Sequence, residues 1–227
     1  MNTVVILLLA GAVAAALAVL AARQAAARRA ELAAFAAARG LAFAPERDPD
    51  FERRVPPFPA LLRGDRRYAF NVAAGRDHER PVRCFDYHYQ TYSHSRRGRR
   101  THHHHFSAVL VECDLPLRPL VVRAENVLDK LAGAVGFDDI DFESTDFSRR
   151  FHVQAEDRRW AFDVLHQATL EFLLASPVFA LDFRPGAVLA WRDTQLAVAD
   201  LPEALDVVHG VLDRLPPSVV QELRSGA

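Results

Sequence analysis

The residues best suited to chemistry in this sequence are four consecutive histidines, His102 to His105. On a β-strand alternate residues share a face, so His103 and His105 would point the same way. Two imidazoles at this spacing can reach one metal ion, and Zn²⁺ accepts imidazole nitrogen at about 2.0–2.1 Å. If residues 81–92 and 101–113 pair as a hairpin, His88 and Asp86 join that face. The sequence therefore predicts a zinc site made of His88, His103, His105 and Asp86, against the alternative of a solvated histidine tract.

A basic turn precedes the histidines and contains Arg96, Arg97, Arg99 and Arg100. Near a membrane, each arginine can contribute on the order of 1 kcal/mol through contact with anionic headgroups. The guanidinium group also pairs well with phosphate or carboxylate. These four residues are the predicted contact for lipid or another anionic ligand, although hairpin turns are commonly polar without any such role. Their charge would oppose a metal ion bound beside them.

Other patterns give little reason to predict an enzyme. The acidic run at 138–146 lacks the spacing of an EF-hand calcium loop and is more typical of a solvated turn. Cys84 and Cys113 form no CxxC pair. The chain contains no nucleophile elbow, Walker A loop, dinucleotide-binding glycine motif or HExxH motif. Apart from the possible zinc ion, we expect no cofactor.

The charge balance limits the class of partner that is expected, and the cysteine content indicates the cellular compartment. The formal net charge is −1, whereas a nucleic-acid-binding domain is usually clearly basic, so we expect no nucleic-acid partner. Two cysteines in 227 residues favour a reducing compartment. A disulfide between them would conflict with that location.

The N-terminal segment predicts a membrane anchor. Residues 4–22 are uninterrupted apolar or small residues and would span roughly 28 Å as a helix, close to the thickness of a bilayer core. A cleaved signal peptide is the alternative, but such peptides begin with a positively charged region. Positive residues follow the segment instead, at Arg23, Arg28 and Arg29. Since positive flanks stay in the cytoplasm, we expect the N-terminus outside and the soluble domain inside the cell.

The rest of the chain divides into two parts. Residues 23–59 predict a juxtamembrane helix that ends at Gly40 and then a proline-rich, extended connection. Residues 60–227 predict one soluble α+β domain. Alternating patterns predict strands at 68–74, 81–92, 101–113 and 120–123 as an antiparallel meander, then strands at 150–155, 178–183 and 187–191. Helical spacing predicts helices at 125–135, 157–175 and 202–215, of which two or three pack on the sheet.

A turn at Arg97-Gly98 would set the register of the central hairpin. Tyr89 would then face Phe106, and residues 85 and 87 would face 110 and 108. Every member of these pairs is apolar or aromatic, which predicts that this face of the hairpin belongs to the core.

Two segments carry a family resemblance. The run Asp141-Phe-Glu-Ser-Thr-Asp-Phe-Ser-Arg-Arg-Phe-His-Val, followed by Asp157, Ala161 and Leu165, resembles bacterial membrane-anchored domains of unknown function. The segment Phe85-Asp-Tyr-His-Tyr, after Pro57-Phe58, is similar to the same families. The resemblance implies an α+β domain on a short anchor and brings no catalytic residues with it.

These observations favour a membrane-anchored interaction or scaffolding protein at the cytoplasmic membrane face. Its partners would be the lipid bilayer, through residues 4–22, and a protein that the sequence does not identify. The alternative is a domain that binds a metal ion or an anionic ligand through the His/Arg-rich hairpin. An enzyme is the least supported class.

Overall fold

The computed structural model describes residues 2–95, 98–124 and 138–226. It has the expected α+β architecture, an N-terminal apolar helix followed by an antiparallel sheet with helices. The helices in the described ranges are α1 Asn2–Ala38, α2 Thr145–Arg150, α3 Arg158–Val164, α4 Gln167–Ala175, α5 Asp200–Asp213 and α6 Pro217–Ser225. The strands are β1 Ala42–Ala44, β2 Asp65–Asp77, β3 Arg80–Ser95, β4 Gly98–Glu112, β5 Leu120–Ala124, β6 Asp138–Asp139, β7 Phe151–Ala155, β8 Ala180–Arg184 and β9 Ala187–Arg192.

The strands form one sheet in the order β1-β2-β3-β4-β9-β8-β5-β7-β6, with antiparallel neighbours throughout. The predicted meander is confirmed from β2 to β4, but β1 was not predicted and β5 does not continue the meander. Instead β9 lies beside β4, and β5 pairs with β7 and β8. The residues of β9 are buried from Ala187 to Trp191, which suits a strand in the middle of a sheet.

The register predicted for the central hairpin is wrong by two residues. Phe106 pairs with Tyr87 and not with Tyr89, which lies opposite His104. The pairing runs outward to Ser95 and Gly98, so the connection is residues 96–97. Because side chains alternate with a period of two, a shift of two residues leaves every side chain on its predicted face. The prediction of an aromatic core face is therefore confirmed despite the wrong pairs.

The helix α1 is unbroken, although its side chains are exposed near its start and buried near its end. It has 37 residues, or roughly 55 Å at 1.5 Å per residue. Among the described residues it is the one helix long and apolar enough to cross a membrane, over Leu9–Ala38. Side chains near its start are exposed, with Leu9 and Leu17 each at 61%. Leu32 and Ala36 near its end are buried against the sheet.

The segment after α1 covers one face of the sheet. It contains two short 3₁₀ turns, Phe51–Arg54 and Pro59–Leu62, and buries Phe51 and Phe58 completely. These rings pack in a core cluster with the aromatic face of the hairpin. As predicted, the segment forms neither an α-helix nor a central strand, but it packs against the sheet and is not an extended connection.

The opposite face of the sheet packs against α1 and the C-terminal helices in a second, larger core cluster. The helix predicted over 157–175 is divided, because His166 has extended backbone angles between α3 and α4. The short helix α2, which begins after the cap residue Ser144, was not predicted. The helix predicted near 202–215 is confirmed as α5, whereas the one predicted over 125–135 lies outside the described residues.

Candidate functional site

A buried ion pair attaches α1 to the sheet. Arg28 donates to both carboxylate oxygens of Asp86 on β3, from Nε at 2.8 Å and from Nη2 at 2.6 Å. Arg28 also donates to Ser107 Oγ on β4 at 2.9 Å and to the Leu196 carbonyl at 2.8 Å. Such a two-pronged arginine–carboxylate contact fixes orientation as well as position. We call this contact the α1 clasp.

The carboxylate of Asp86 is fully committed to this clasp. Its side chain is 1% exposed, and it accepts further hydrogen bonds from Asn71 Nδ2 at 3.0 Å and Ser107 Oγ at 2.7 Å. Asn71 holds a positive φ of 52° beside an irregularity in the β2–β3 pairing, which directs its amide toward Asp86. The structure therefore places the predicted metal ligand Asp86 opposite Arg28, while the carboxylate still lies close enough to His105 to oppose the lowering of its pKa.

A second polar contact fixes the end of α1. Arg39 pairs with Asp77 on β2 at 3.2 Å, and Asp77 also lies 3.2 Å from His209 Nε2 on α5. Arg80 lies 3.2 Å from the other ring nitrogen of His209 and pairs with Asp213 at 2.6 Å. Burial lowers the pKa of His209, although the Asp77 carboxylate opposes this effect. The contact joins α1, the sheet and α5.

Three of the predicted site histidines lie together on the face of the hairpin that carries Asp86. His88 Nε2 is 3.0 Å from His103 Nδ1, and the ring centroids of His88 and His105 are 4.8 Å apart. The His88 ring stacks on Tyr68 at 4.5 Å, and its Nδ1 lies 3.3 Å from the Arg66 carbonyl. As they stand, the described residues contain no group of three or more His, Cys, Asp or Glu side chains arranged to hold a metal ion.

The pKa values of two of these histidines are shifted toward the neutral imidazole. Burial lowers the pKa of His88, and the nearby His105 lowers it further. Burial also lowers the pKa of His105, followed by the effect of His103. Both shifts favour the neutral imidazole, which has one ring nitrogen free of a proton that can accept a hydrogen bond.

The other two histidines of the tract point to the opposite face. His104 stacks on Tyr89 with ring centroids 4.6 Å apart, and its Nε2 lies 2.8 Å from Thr91 Oγ1. His102 Nε2 lies 2.8 Å from Ser93 Oγ. The alternation predicted for the tract is confirmed, with two histidines on each face.

Of the predicted anion-contacting arginines, the structure describes two. The guanidinium carbon of Arg99 lies 3.6 Å from the centroid of the Tyr92 ring, a cation–π contact. Arg100 is exposed on the strand opposite Ser93. Arg96 and Arg97 lie outside the described residues.

Two depressions meet at His105. One has a volume of about 560 Å³ and is lined by the three clustered histidines together with Arg47, Arg66 and Tyr68. The other has a volume of about 580 Å³ and lies between α1 and the sheet, with Ala21, Gln24 and Arg29 on the helix side. Both are open at the surface, and the second lies beside Ala21, near the end of the apolar segment.

Sequence reasoning missed the α1 clasp. One signal for it was present, because Asp86 is the only acidic residue in the strand predicted over 81–92 and lies among aromatic residues. A buried carboxylate needs a cationic or hydrogen-bonding partner. The sequence pattern suggested a metal ion as the partner of Asp86, whereas in the structure the partner is Arg28.

No protein-family model and no curated protein matches this chain. Among solved structures, it is similar to the mycobacterial trehalose monomycolate transport factor A, TtfA, with a TM-score of 0.61. The two sequences are 14% identical, and the match covers 86% of this chain and 98% of that one. At this level of identity the likeness shows a common fold. The resemblance to domains of unknown function stays an expectation.

Proposed function

We propose that this protein is a single-pass membrane protein whose α+β domain acts as a non-enzymatic interaction or scaffolding module at the cytoplasmic membrane face. One observation carries the proposal. The same unbroken helix is exposed and apolar near Leu9 and is held by a buried ion pair at Arg28. An anchor built in this way would present the domain to membrane partners in one orientation.

The exposure pattern supports the anchor. Seven large hydrophobic side chains are exposed among the described residues, and five of them belong to α1. Exposed apolar side chains gathered on one helix suit lipid or a partner, whereas single ones scattered over a surface need no explanation. The remaining two are Leu62 at 47% and Phe162 at 40%. They are positions from which to search for a protein partner.

The structural likeness supports the class of function. TtfA is named as a transport factor, and nearly its whole length matches this chain. By analogy, this chain would assist a membrane process by binding another component, without itself carrying out a reaction.

Site-specific crosslinking in native cells tests the proposal. A photoreactive amino acid would replace Leu62, Phe162 or Gln195 in the full-length chain, where Gln195 lines the depression between α1 and the sheet. The matched control is Glu79, whose side chain is 98% exposed in the turn between β2 and β3. We expect a discrete product with one membrane-associated protein from at least one of the three positions and none from Glu79. Absence of any discrete product, with the protein present in the membrane fraction, would contradict a scaffolding role.

One observation favours a second candidate function, binding of a divalent metal ion. Imidazole rings from His88, His103 and His105 converge within one depression. The rings would have to reorient to form a ligand set, and Arg47 and Arg66 oppose a cation there. Calorimetric titration of the full-length protein with Zn²⁺ tests this function. Submicromolar binding (below about 1 µM) that is lost in His103→Ala/His105→Ala but kept in His102→Ala/His104→Ala would support it, and no binding would exclude it.

A further inference from the structure

The hairpin formed by β3 and β4 has an unusual charge composition. From Tyr87 to Val111 the sequence contains four arginines and six histidines but neither aspartate nor glutamate. Among the described residues of this stretch, the exposed basic side chains are His94, Arg99, Arg100, His102, His103 and His105. A surface of this kind is complementary to an anionic partner.

Two contacts show that α1 and the hairpin run side by side. The Arg39–Asp77 contact lies near the end of the helix, and Asp77 pairs with Arg80 at the start of β3. The Arg28–Asp86 contact lies eleven residues back along the helix and six residues on along β3. These separations correspond to roughly 17 Å of helix and roughly 20 Å of strand. Toward its N-terminus, α1 therefore advances in the same direction as the hairpin advances toward its tip.

Beyond the α1 clasp, the hairpin extends further than the stretch of α1 that separates Arg28 from the apolar segment. The apolar segment ends at Ala22, so Arg23 lies only five residues before Arg28, or roughly 8 Å along the helix. From Asp86 to Ser95, nine residues of strand extend for roughly 30 Å. If α1 enters a bilayer, the outer hairpin thus reaches the membrane surface. Its arginines cannot enter the hydrocarbon layer without a large desolvation cost, so it must lie among the headgroups.

We propose that the outer part of the β3–β4 hairpin binds the anionic phospholipid surface of the membrane that α1 enters. Arg99 and Arg100 contact lipid phosphates. Tyr92, on which Arg99 stacks, has the amphipathic character of side chains found at the headgroup level. The inference rests on the proposed membrane anchor and adds a second, electrostatic attachment that restricts how the domain tilts.

Fluorescence quenching in nanodiscs tests this contact with the full-length protein. A fluorophore is attached to His94→Cys near the tip or, as matched control, to Arg76→Cys at the opposite end of the sheet, roughly 43 Å away along the strands. Cys113 is replaced by serine, while Cys84 is fully buried, which raises its pKa to about 12 and keeps it unlabelled. The quencher is a spin-labelled phosphatidylcholine headgroup, in nanodiscs with or without phosphatidylglycerol.

We expect the label at position 94 to be quenched about twofold more with phosphatidylglycerol than without it, and the label at 76 to show no difference. Arg99→Gln/Arg100→Gln should reduce quenching to the control level, as should 1 M salt, where the screening length falls to about 3 Å. Equal quenching of the two labels in protein that is inserted in the nanodisc would overturn the hairpin contact alone. Failure of the protein to insert at all would instead overturn the proposed anchor.

Discussion

At the scale of single residues, the α1 clasp is the contact on which the orientation of the domain depends. Arg28 and Asp86 are 58 residues apart in sequence, and their side chains are 19% and 1% exposed. A buried ion pair of this kind adds little net stability compared with an apolar pair, but removing one partner leaves an uncompensated charge. Its contribution is therefore mainly to fix where α1 lies on the sheet.

Replacement of Arg28 by methionine should destabilise the domain strongly. The apolar stem is kept, but the Asp86 carboxylate loses its cation, and we expect a loss of about 3–5 kcal/mol in the free energy of unfolding. The measurement is urea denaturation in detergent, followed by the fluorescence of the buried Trp160 and Trp191.

The neighbouring Arg29→Met, at an exposed position, serves as the control and should change the unfolding free energy by less than about 0.5 kcal/mol. Arg28→Met/Asp86→Asn should recover part of the loss, because no buried charge remains. Equal effects of Arg28→Met and Arg29→Met would show that the clasp does not hold the helix.

The histidine cluster should make stability depend on pH. Burial lowers the pKa of His88 and His105 in the folded protein below the ordinary value of 6.5. Their stabilising contribution is therefore complete above about pH 6.5. It is lost as the pH falls through the lowered values, because the unfolded chain then binds protons more readily than the folded one.

The test compares the urea midpoints of the parent and of His88→Gln at about pH 7.5 and at about pH 5. These two conditions lie on either side of the ordinary histidine pKa, about 6.5. The parent should lose more stability than the variant on acidification. The difference between the two proteins is the relevant quantity, since burial raises the pKa of Asp182 to about 6 and that group acts in the opposite direction. Parallel losses would mean that His88 does not contribute.

At the scale of elements, the packing of α4 on α5 depends on a residue without a side chain. A Cβ atom added at Gly210 on α5 would lie 2.2 Å from the ring of Phe172 on α4. The close approach of these helices supports the face of the sheet on which α1 also lies.

Gly210→Ala should therefore destabilise the domain by about 1–3 kcal/mol, despite the better helix propensity of alanine, because the Phe172 ring must move. Phe172→Leu in the same chain provides space and should return part of the lost stability. Thermal unfolding of both variants checks this. Stabilisation by Gly210→Ala alone would show that the two helices can separate without cost.

At the scale of the whole molecule, the proposed anchor would set the compartment of the domain. The arginines that follow the apolar segment favour a cytoplasmic domain. We expect a fluorescent reporter that matures only in the cytoplasm to be active when fused after Ala227, and a phosphatase that is active only outside the membrane to be inactive there. The reverse pattern would contradict this orientation and the scaffolding site with it.

Local patterns alone were sufficient to predict several elements. The N-terminal helix follows from an uninterrupted apolar run. The hairpin strands with the side chains on each face, and the helix α5, follow from periodic patterns over neighbouring residues. Such patterns report which side of an element is buried, because the period of a strand is two and that of a helix is about 3.6 residues. For the same reason the histidines could be sorted correctly between the two faces of the hairpin.

What only the tertiary structure decided are the pairings between distant residues. The placement of β9 beside β4, the two-residue shift of the hairpin register and the partnership of Asp86 with Arg28 are all of this kind. Along a strand, every second side chain points to the same face, so local periodicity cannot distinguish registers that differ by two residues. The partner of a buried carboxylate is chosen by which cation the fold brings within reach, and here that cation is on the helix that leads into the proposed membrane anchor.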